Sequence, residues 1–241
     1  MLRNAKELRN YSLRATDGEI GRLKDFYFDD RRWTVRSLVV DAGAWLHSRE
    51  VLIAPEAMGT PAWGEQLFPV DLSKDEVRNS PPVDMAVPIT KQTERVLRDY
   101  YGWPAYYEGM PATDLPAPKE KTPARPADPH LFSTNAVAGY HIAAVDGEIG
   151  HVADFLIDDA TWEISYLVVD TRNWLPGRHV LVDCEWIEEV EWGQGRIQVN
   201  LLRDVIQSAP PYDVRSPASS EYAATLHAHY YGEARDLPKT R

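Results

Sequence analysis

The chain has 241 residues, of which 44% are hydrophobic, 26% are charged and one is a cysteine, and its formal net charge at neutral pH is −11. The longest apolar run is only a few residues, far short of the ~20 that a membrane-spanning helix needs, and the first residues lack the apolar core of a signal peptide. A lone cysteine cannot form an internal disulfide, which favours the reducing cytoplasm. We therefore expect a cytoplasmic protein without a membrane span.

The negative charge is concentrated in the second half of the chain. Residues 130–241 hold 17 acidic and 8 basic side chains, whereas residues 1–110 hold 17 and 15. Because nucleic-acid binding depends on clustered Lys and Arg, the second half argues against a nucleic-acid partner, and the first half is neutral on the question.

The first predicted elements are strands joined by tight turns. Residues 8–13 predict an opening strand, and Asp17-Gly18 predicts a type I′ hairpin turn, in which both central residues have positive φ. The next strand runs through residues 20–28, and its apolar side chains change parity after Gly21, which predicts a bulge and a strong bend.

A further strand is predicted over residues 33–40. Alternation places Trp33 and the side chains at every second position on a face that points into a barrel, and it places Thr34 and Arg36 on a wetter face. Another strand at residues 50–54 follows a loop that carries Trp45. A hairpin at residues 63–70 is expected to be short or frayed, because Pro61 and Pro69 interrupt it.

Two helices complete this part of the chain. Ser73 and Glu76 have the spacing of a capping box and predict a short helix that ends near Asn79. Residues 90–101 predict a closing helix with Val96, Leu97 and Tyr100 on one stripe.

The whole pattern recurs 129 residues later. Aligning residues 17–45 with residues 146–174 without a gap gives 15 identities in 29 pairs, against roughly two expected from ordinary composition. The DGEIG sequence of residues 17–21 returns at residues 146–150, and LVVD of residues 38–41 returns at residues 167–170. The sequence therefore predicts two units, residues 1–109 and residues 131–241, joined by a Pro-rich linker at residues 110–130.

Each repeat resembles a PRC-barrel domain, the fold shared by the cytoplasmic part of the photosynthetic reaction centre H subunit and the C-terminal domain of the bacterial ribosome maturation factor that acts on the small subunit. The likeness rests on the DGEIG hairpin, the Asp-Phe and Asp-Asp pairs after it and the LVVD strand. Residues 100–104 (YYGWP) also resemble the tails of stand-alone bacterial members. The resemblance covers about residues 1–105 and 132–235. It implies a mainly β protein with two small, six-stranded barrels, each closed by short helices and used for protein contacts.

Catalytic, cofactor and metal sites are not predicted. The repeated carboxylates, Asp25 and Asp154, are the only basis for an enzyme hypothesis, and the Asp-Asp pairs after them are typical of turns. His227 and His229 have a spacing that places them on different helix faces, and Cys184 lacks a CxxC partner, so we expect a surface pair and a small core residue.

Aromatic side chains are the predicted interaction sites. Trp45 and Trp174 occupy equivalent loops, and an aromatic tail follows the first closing helix. Exposed aromatic residues are favoured anchors in protein interfaces, although these could instead cover their own barrels. The candidate protein-interaction residues are Trp45, Trp174, Tyr101, Trp103, Tyr106 and Tyr107.

These observations favour a non-enzymatic interaction or assembly module with an unidentified protein partner. We expect a homo-oligomer or an intramolecular pseudo-twofold pairing of the two repeats. The alternative is an RNA- or ribosome-associated factor, which would need a basic patch around Arg31, Arg32 and Arg36.

Overall fold

The computed structural model describes residues 1–85, 89–104, 131–171, 178–215 and 218–233. Within these ranges the predicted mainly β fold is confirmed, because two sheets account for most of the regular structure and the helices are short. The predicted linker at residues 110–130 lies outside the described residues. No helix in the described ranges is both long and apolar enough to cross a bilayer.

The described elements follow the same order in both repeats, except that the second repeat has one additional strand, β12 (Ile187–Glu191). The strands are β1 (Leu2–Asn4), β2 (Ser12–Ala15), β3 (Gly18–Asp29), β4 (Thr34–Asp41), β5 (Glu50–Ile53), β6 (Leu67–Pro69), β7 (Phe132–Ser133), β8 (His141–Ala144), β9 (Gly147–Asp158), β10 (Ile164–Asp170), β11 (His179–Asp183), β12 (Ile187–Glu191) and β13 (Arg196–Val199). The helices are α1 (Ala5–Leu8), α2 (Lys74–Asn79), α3 (Lys91–Tyr101), α4 (Thr134–Val137), α5 (Arg203–Ser208) and α6 (Ser220–Glu233).

The chain forms two compact units, and each takes residues from both repeats. The first-repeat unit consists of Asn10–Asp30 and Arg36–Phe132. The second-repeat unit consists of Met1–Arg9, Arg31–Val35 and Ser133–Arg241. Two short segments of the first repeat therefore belong to the second-repeat unit. The predicted bounds, residues 1–109 and 131–241, follow the sequence repeat and stay a prediction.

The sheet of the first-repeat unit has the order β5-β4-β3-β2-β6, and β7 also pairs with β3. Strands β4 and β5 are antiparallel, as are β2 and β3, whereas β2 and β6 run parallel. One cluster in its apolar core includes Tyr27, Val39 and Leu52. Helix α3 covers this core through Leu97, which is 4% exposed.

The sheet of the second-repeat unit has the order β11-β10-β9-β8-β13-β12. Strand β1 joins it by antiparallel pairing with β9, with Leu2 opposite Asp158. The recorded strand pairs form open ladders in both units, so closure of each sheet into a barrel stays a prediction. The core of this unit includes the buried Phe155 and Leu181.

The first hairpin turn differs from the type I′ prediction. Ala15 pairs with Gly18, so the two central residues are Thr16 and Asp17, and neither has a positive φ. Gly18 follows the turn with a φ of +146°, a value that favours glycine. The turn lies one residue earlier than predicted because Gly18 is already part of β3.

Both repeats need a glycine at the fifth position of DGEIG. A Cβ atom on Gly21 would lie 2.0 Å from the backbone oxygen of Asp41, and one on Gly150 would lie 2.1 Å from that of Asp170. Carbon and oxygen atoms repel strongly at this distance, so only glycine allows β3 and β9 to approach the ends of β4 and β10 so closely.

The aspartate of DGEIG holds the start of a helix. The Oδ1 atom of Asp17 accepts a hydrogen bond from the backbone N–H of Lys74 at 2.8 Å, and Oδ1 of Asp146 accepts one from Arg203 at the same distance. Lys74 and Arg203 are the first residues of α2 and α5. The motif therefore connects each hairpin to the helix that follows it in its unit.

We expect Asp17→Ala to lower the free energy of unfolding by about 1 kcal/mol, because a backbone N–H at the start of a helix loses its acceptor. Asp17→Asn should cost less, since the amide oxygen can still accept. Urea denaturation followed by circular dichroism measures both. Asp71→Ala is the control, because Asp71 is exposed and its side chain forms no hydrogen bond with the part of the chain that the structure describes. A loss as large there would contradict the assignment.

The helices and the hairpins of the two repeats confirm some predictions and correct one. The capping box of Ser73 and Glu76 is present at α2, and the regular pair β12 and β13 contrasts with the short β6 of the first repeat. The stripe predicted for α3 is wrong: Val96 is 48% exposed, whereas Glu94, Leu97 and Arg98 are buried. Two charged residues thus face inward, a pattern that apolar periodicity misses.

Candidate functional site

The repeated aspartates serve structural contacts. Asp154 is 6% exposed, and its carboxylate accepts the backbone N–H of Lys6 at 3.2 Å. Burial raises the pKa of Asp154. Asp25 is also buried, and its carboxylate accepts the N–H of Phe26 at 2.8 Å. Within the described ranges, no group of three or more His, Cys, Asp or Glu side chains could hold a metal ion.

Two histidines of the second-repeat unit also have structural contacts, and its cysteine, Cys184, is half-buried. The ring of His227 stacks on Tyr231 with centroids 4.1 Å apart. The Nε2 atom of His229 lies 2.8 Å from the carbonyl oxygen of Val205. Burial raises the pKa of the Cys184 thiol well above its usual value, which makes a thiolate nucleophile unfavourable at this position.

Trp45 lies half-buried on the surface of the first-repeat unit in a fixed orientation. Its indole Nε1 donates a hydrogen bond to the carbonyl oxygen of Ile20 at 2.9 Å. The ammonium group of Lys74 lies 4.5 Å from the ring centroid, and the Arg78 guanidinium lies 5.7 Å from it. Both cations come from α2, and such contacts favour an ordered ring.

A cleft of about 410 Å³ borders this indole. Its charged lining residues are Glu19, Arg22 and Asp41, and the rest of its wall consists of Gly21 and the short loop that precedes Trp45. The cleft therefore combines an aromatic wall with charges of both signs. We name Trp45 together with this cleft the Trp45 surface.

The other predicted aromatic residues divide into described and undescribed ones. Tyr101 stacks on Trp103 with ring centroids 4.2 Å apart, and both side chains are half-buried. Burial raises the pKa of Tyr101 to about 12. Its neighbour Tyr100 donates a hydrogen bond to the carbonyl oxygen of Glu76 in α2 at 2.8 Å. Trp174, Tyr106 and Tyr107 lie outside the described residues.

The predicted wetter face of β4 is wrong. Arg36 is 4% exposed, and its Nε donates to Oε1 of Glu94 at 3.1 Å; a second, shorter bond comes from its Nη2. Oε1 of Glu94 also accepts from Nε of Arg98 at 3.1 Å, and Arg98 donates to Glu56 at 2.9 Å. The position faces α3 instead of water, and an ion-pair network makes a buried arginine tolerable there.

This burial removes one member of the basic patch that the RNA-associated alternative needs. Arg36 cannot contact a phosphate while it is enclosed with Glu94 and Arg98. Arg31 and Arg32 are exposed, but they line a cleft that they share with four acidic residues. The distribution of charge around them does not favour a polyanion.

That cleft belongs to the second-repeat unit and has a volume of about 640 Å³. We name it the β10 cleft. Its lining residues are Leu2, Arg31, Arg32, Trp33, Asp158, Glu163, Ile164, Ser165, Tyr166, Asp183, Cys184 and Glu185. Sequence reasoning missed it, although several of its positions differ between the repeats; among them, Ser165, Tyr166 and Asp183 replace Arg36, Ser37 and Ala54.

Two tryptophans at equivalent positions have strained backbones beside this cleft. Trp33 has a φ of 50° and Trp162 a φ of 61°, values that are rare for large side chains and often mark turns or functional regions. The carbonyl oxygen of Trp33 accepts the N–H of Ile164 at 2.6 Å, and that of Trp162 accepts the N–H of Val35 at 2.9 Å. These two hydrogen bonds, both within the second-repeat unit, stabilise the turns that contain Trp33 and Trp162.

Comparison with known proteins identifies part of the chain. No curated protein matches the sequence. The range of the matching family model lies in the second repeat, so a second copy in residues 1–105 stays a proposal. Residues 132–206 are similar to the PRC-barrel domain family.

Proposed function

We propose that this chain is a non-enzymatic protein-interaction module built from two PRC-barrel repeats, and that it acts as an adaptor or assembly factor in the cytoplasm. The family match in the second repeat and the 129-residue repetition support two such units. The contacts of Asp154, Cys184 and the histidines support a role without catalysis, because each of these groups already has a structural partner or a suppressed ionisation.

The observation that carries this proposal is the Trp45 surface. An indole contributes most to an interface when it is held in place before binding, because little side-chain freedom is then lost. The bond from Trp45 to Ile20 and the cations of α2 provide that order. The adjoining cleft offers charged groups of both signs that could select a partner.

The reaction centre H subunit resemblance is consistent with this reading, since it implies a barrel used for protein contacts. It supplies no partner for this chain, and fold likeness alone is a weak argument for function. The partner must therefore be found by experiment, by comparing the proteins that bind the wild type with those that bind a variant of the Trp45 surface.

We expect Trp45→Ala to weaken capture of a native partner by at least tenfold, because central aromatic anchors often contribute 2 kcal/mol or more. Affinity purification from source cells, with the captured protein then titrated against purified wild type and variant, measures this. The matched control is Trp63→Ala, since Trp63 packs against Tyr11 and Phe68 instead of lining the cleft. Equal affinity of wild type and Trp45→Ala for the same partner would contradict the proposal.

A further inference from the structure

The two repeats differ in the charged side chains that lie beside β4 and beside the equivalent strand β10. In the first-repeat unit, Glu94 and Glu56 hold the guanidinium groups of Arg36 and Arg98. At the equivalent positions the second repeat has the smaller or less basic residues Ser165, Ala223 and His227, but it keeps the glutamate as Glu185. The second repeat therefore lacks both guanidinium groups and retains an acidic partner for them.

The β10 cleft lies at this position. The pairing of β10 with β11 ends at Tyr166 and Asp183. Two residues earlier in β10, the N–H of Ile164 donates a hydrogen bond to the carbonyl oxygen of Trp33. Ser165 lies between these two attachments. It is also at a register shift between β9 and β10, and such bulges often adjoin functional sites because they redirect a side chain. The β10 cleft is the open space beside Ser165, the residue that replaces Arg36.

The cleft is lined by acidic groups whose negative charge a bound cation would balance. Asp183 replaces an alanine of the first repeat, and its Oδ1 accepts the N–H of Glu185 at 2.9 Å. Among the described residues no hydrogen bond to its Oδ2 is recorded. Burial raises the pKa of Asp183, which means that the surrounding groups do not fully stabilise its negative charge. Glu185 accepts the hydroxyl of Tyr231 at 2.6 Å.

We propose that the β10 cleft binds the side chain of a single arginine of a partner protein, with Asp183 as its main acidic contact. This inference rests on the proposed interaction function and names the chemistry of the partner. A guanidinium group has planar donors that suit carboxylates and a face that suits aromatic rings. Trp33 and Tyr166 supply such rings in the lining. Arg31 and Arg32 line the same cleft, and like charges repel, so we expect acidic residues to flank the arginine of the partner.

The direct test uses the full chain and a small probe. N-acetyl-arginine amide is titrated into the ¹⁵N-labelled protein, and N-acetyl-citrulline amide serves as its uncharged analogue. We expect saturable shifts of the backbone amides of Ser165, Tyr166 and Glu185, with a dissociation constant in the millimolar range and no saturation with citrulline. Equal binding of citrulline, or shifts spread over the protein, would overturn the assignment.

Two variants locate the binding site within the cleft. Asp183→Asn should weaken binding of the arginine probe by about tenfold or more, because the guanidinium loses its charged acceptor. Ser165→Arg restores the residue of the first repeat and should block the probe, whereas Ser165→Ala should leave its affinity unchanged. Unchanged affinity in both Asp183→Asn and Ser165→Arg would refute the proposal. If Ser165→Arg folds poorly, Asp183→Asn and the citrulline analogue still decide the question.

A comparison of peptides tests the selectivity. The acetylated peptide Glu-Arg-Glu should bind more tightly than hexa-arginine at physiological salt. Tighter binding of hexa-arginine would instead indicate a general acidic surface without a defined site. These probes need no native partner, so their result is independent of whether Trp45→Ala affects capture, and either hypothesis can fail alone.

Discussion

Replacing Gly21 with alanine is expected to unfold the first-repeat unit, or to lower its free energy of unfolding by about 4 kcal/mol or more. Two effects combine at this residue. The new Cβ would lie 2.0 Å from the backbone oxygen of Asp41, and the backbone has a φ of +147°, which side chains rarely adopt. A loss of this size is a large part of the total stability of a small domain. Urea denaturation monitored by circular dichroism measures it.

Gly150 separates the two effects. A Cβ there would be 2.1 Å from the oxygen of Asp170, but no positive φ is recorded for this residue. Gly150→Ala should therefore be severe, yet milder than Gly21→Ala. The control substitution is Gly64→Ala, because a Cβ at Gly64 meets no atom within 4 Å. A comparable loss in the control, or a mild effect at Gly21, would contradict the steric explanation.

The second large effect is expected for Glu94→Ala, which should destabilise the first-repeat unit by about 3–5 kcal/mol. Glu94 is the shared acceptor for Arg36 and Arg98, and all three side chains are buried. Removing the carboxylate leaves two enclosed guanidinium groups without their common counter-ion, which is the costly way to disrupt a buried ion pair. The same denaturation measurement provides the value.

Two further variants test that explanation. Glu56 belongs to the same network, but its side chain is 38% exposed, so Glu56→Gln should cost no more than about 1 kcal/mol. The triple substitution Arg36→Ser, Glu94→Ala and Arg98→His installs the residues of the second repeat. It should recover part of the loss, because no unpaired buried charge remains. A triple variant less stable than Glu94→Ala would show that the network contributes packing more than charge balance.

Local sequence patterns were sufficient to predict most elements of the fold. Alternation of apolar residues identifies β4 and β5, and the Ser73 capping box identifies α2, because these signals depend on neighbours within a few residues. The direction of individual side chains was harder to predict. Arg36 looks like a solvent-facing residue in its strand, and only its distant partner Glu94 explains why it is buried.

Strand β1 shows a second limit of local patterns. Residues 2–4 include an arginine and an asparagine and have no clear alternation, so their sequence predicts no strand. They form one because β9 offers an edge at Leu156–Asp158. Pairing of this kind depends on tertiary context, which overrides intrinsic preference.

The candidate sites were predictable to different degrees. Composition and spacing identify Trp45 as a candidate, but its orientation depends on the bond to Ile20 and on the cations of α2. The β10 cleft had only an indirect signal, which is the replacement of Arg36 by Ser165 in an otherwise similar strand. Replacing a large side chain with a small one leaves a cleft only when the surrounding residues do not move to fill the space. Whether they do can be seen only in the structure.

The membership of residues 1–9 in the second-repeat unit has a consequence for biosynthesis. Leu2 pairs with Asp158, so the beginning of the chain must wait for its partner strand. At ordinary translation rates that delay is roughly 8–30 s. Pairings between residues so far apart in sequence also slow folding after synthesis. During that interval the nascent chain exposes a short strand without the sheet edge to which it pairs.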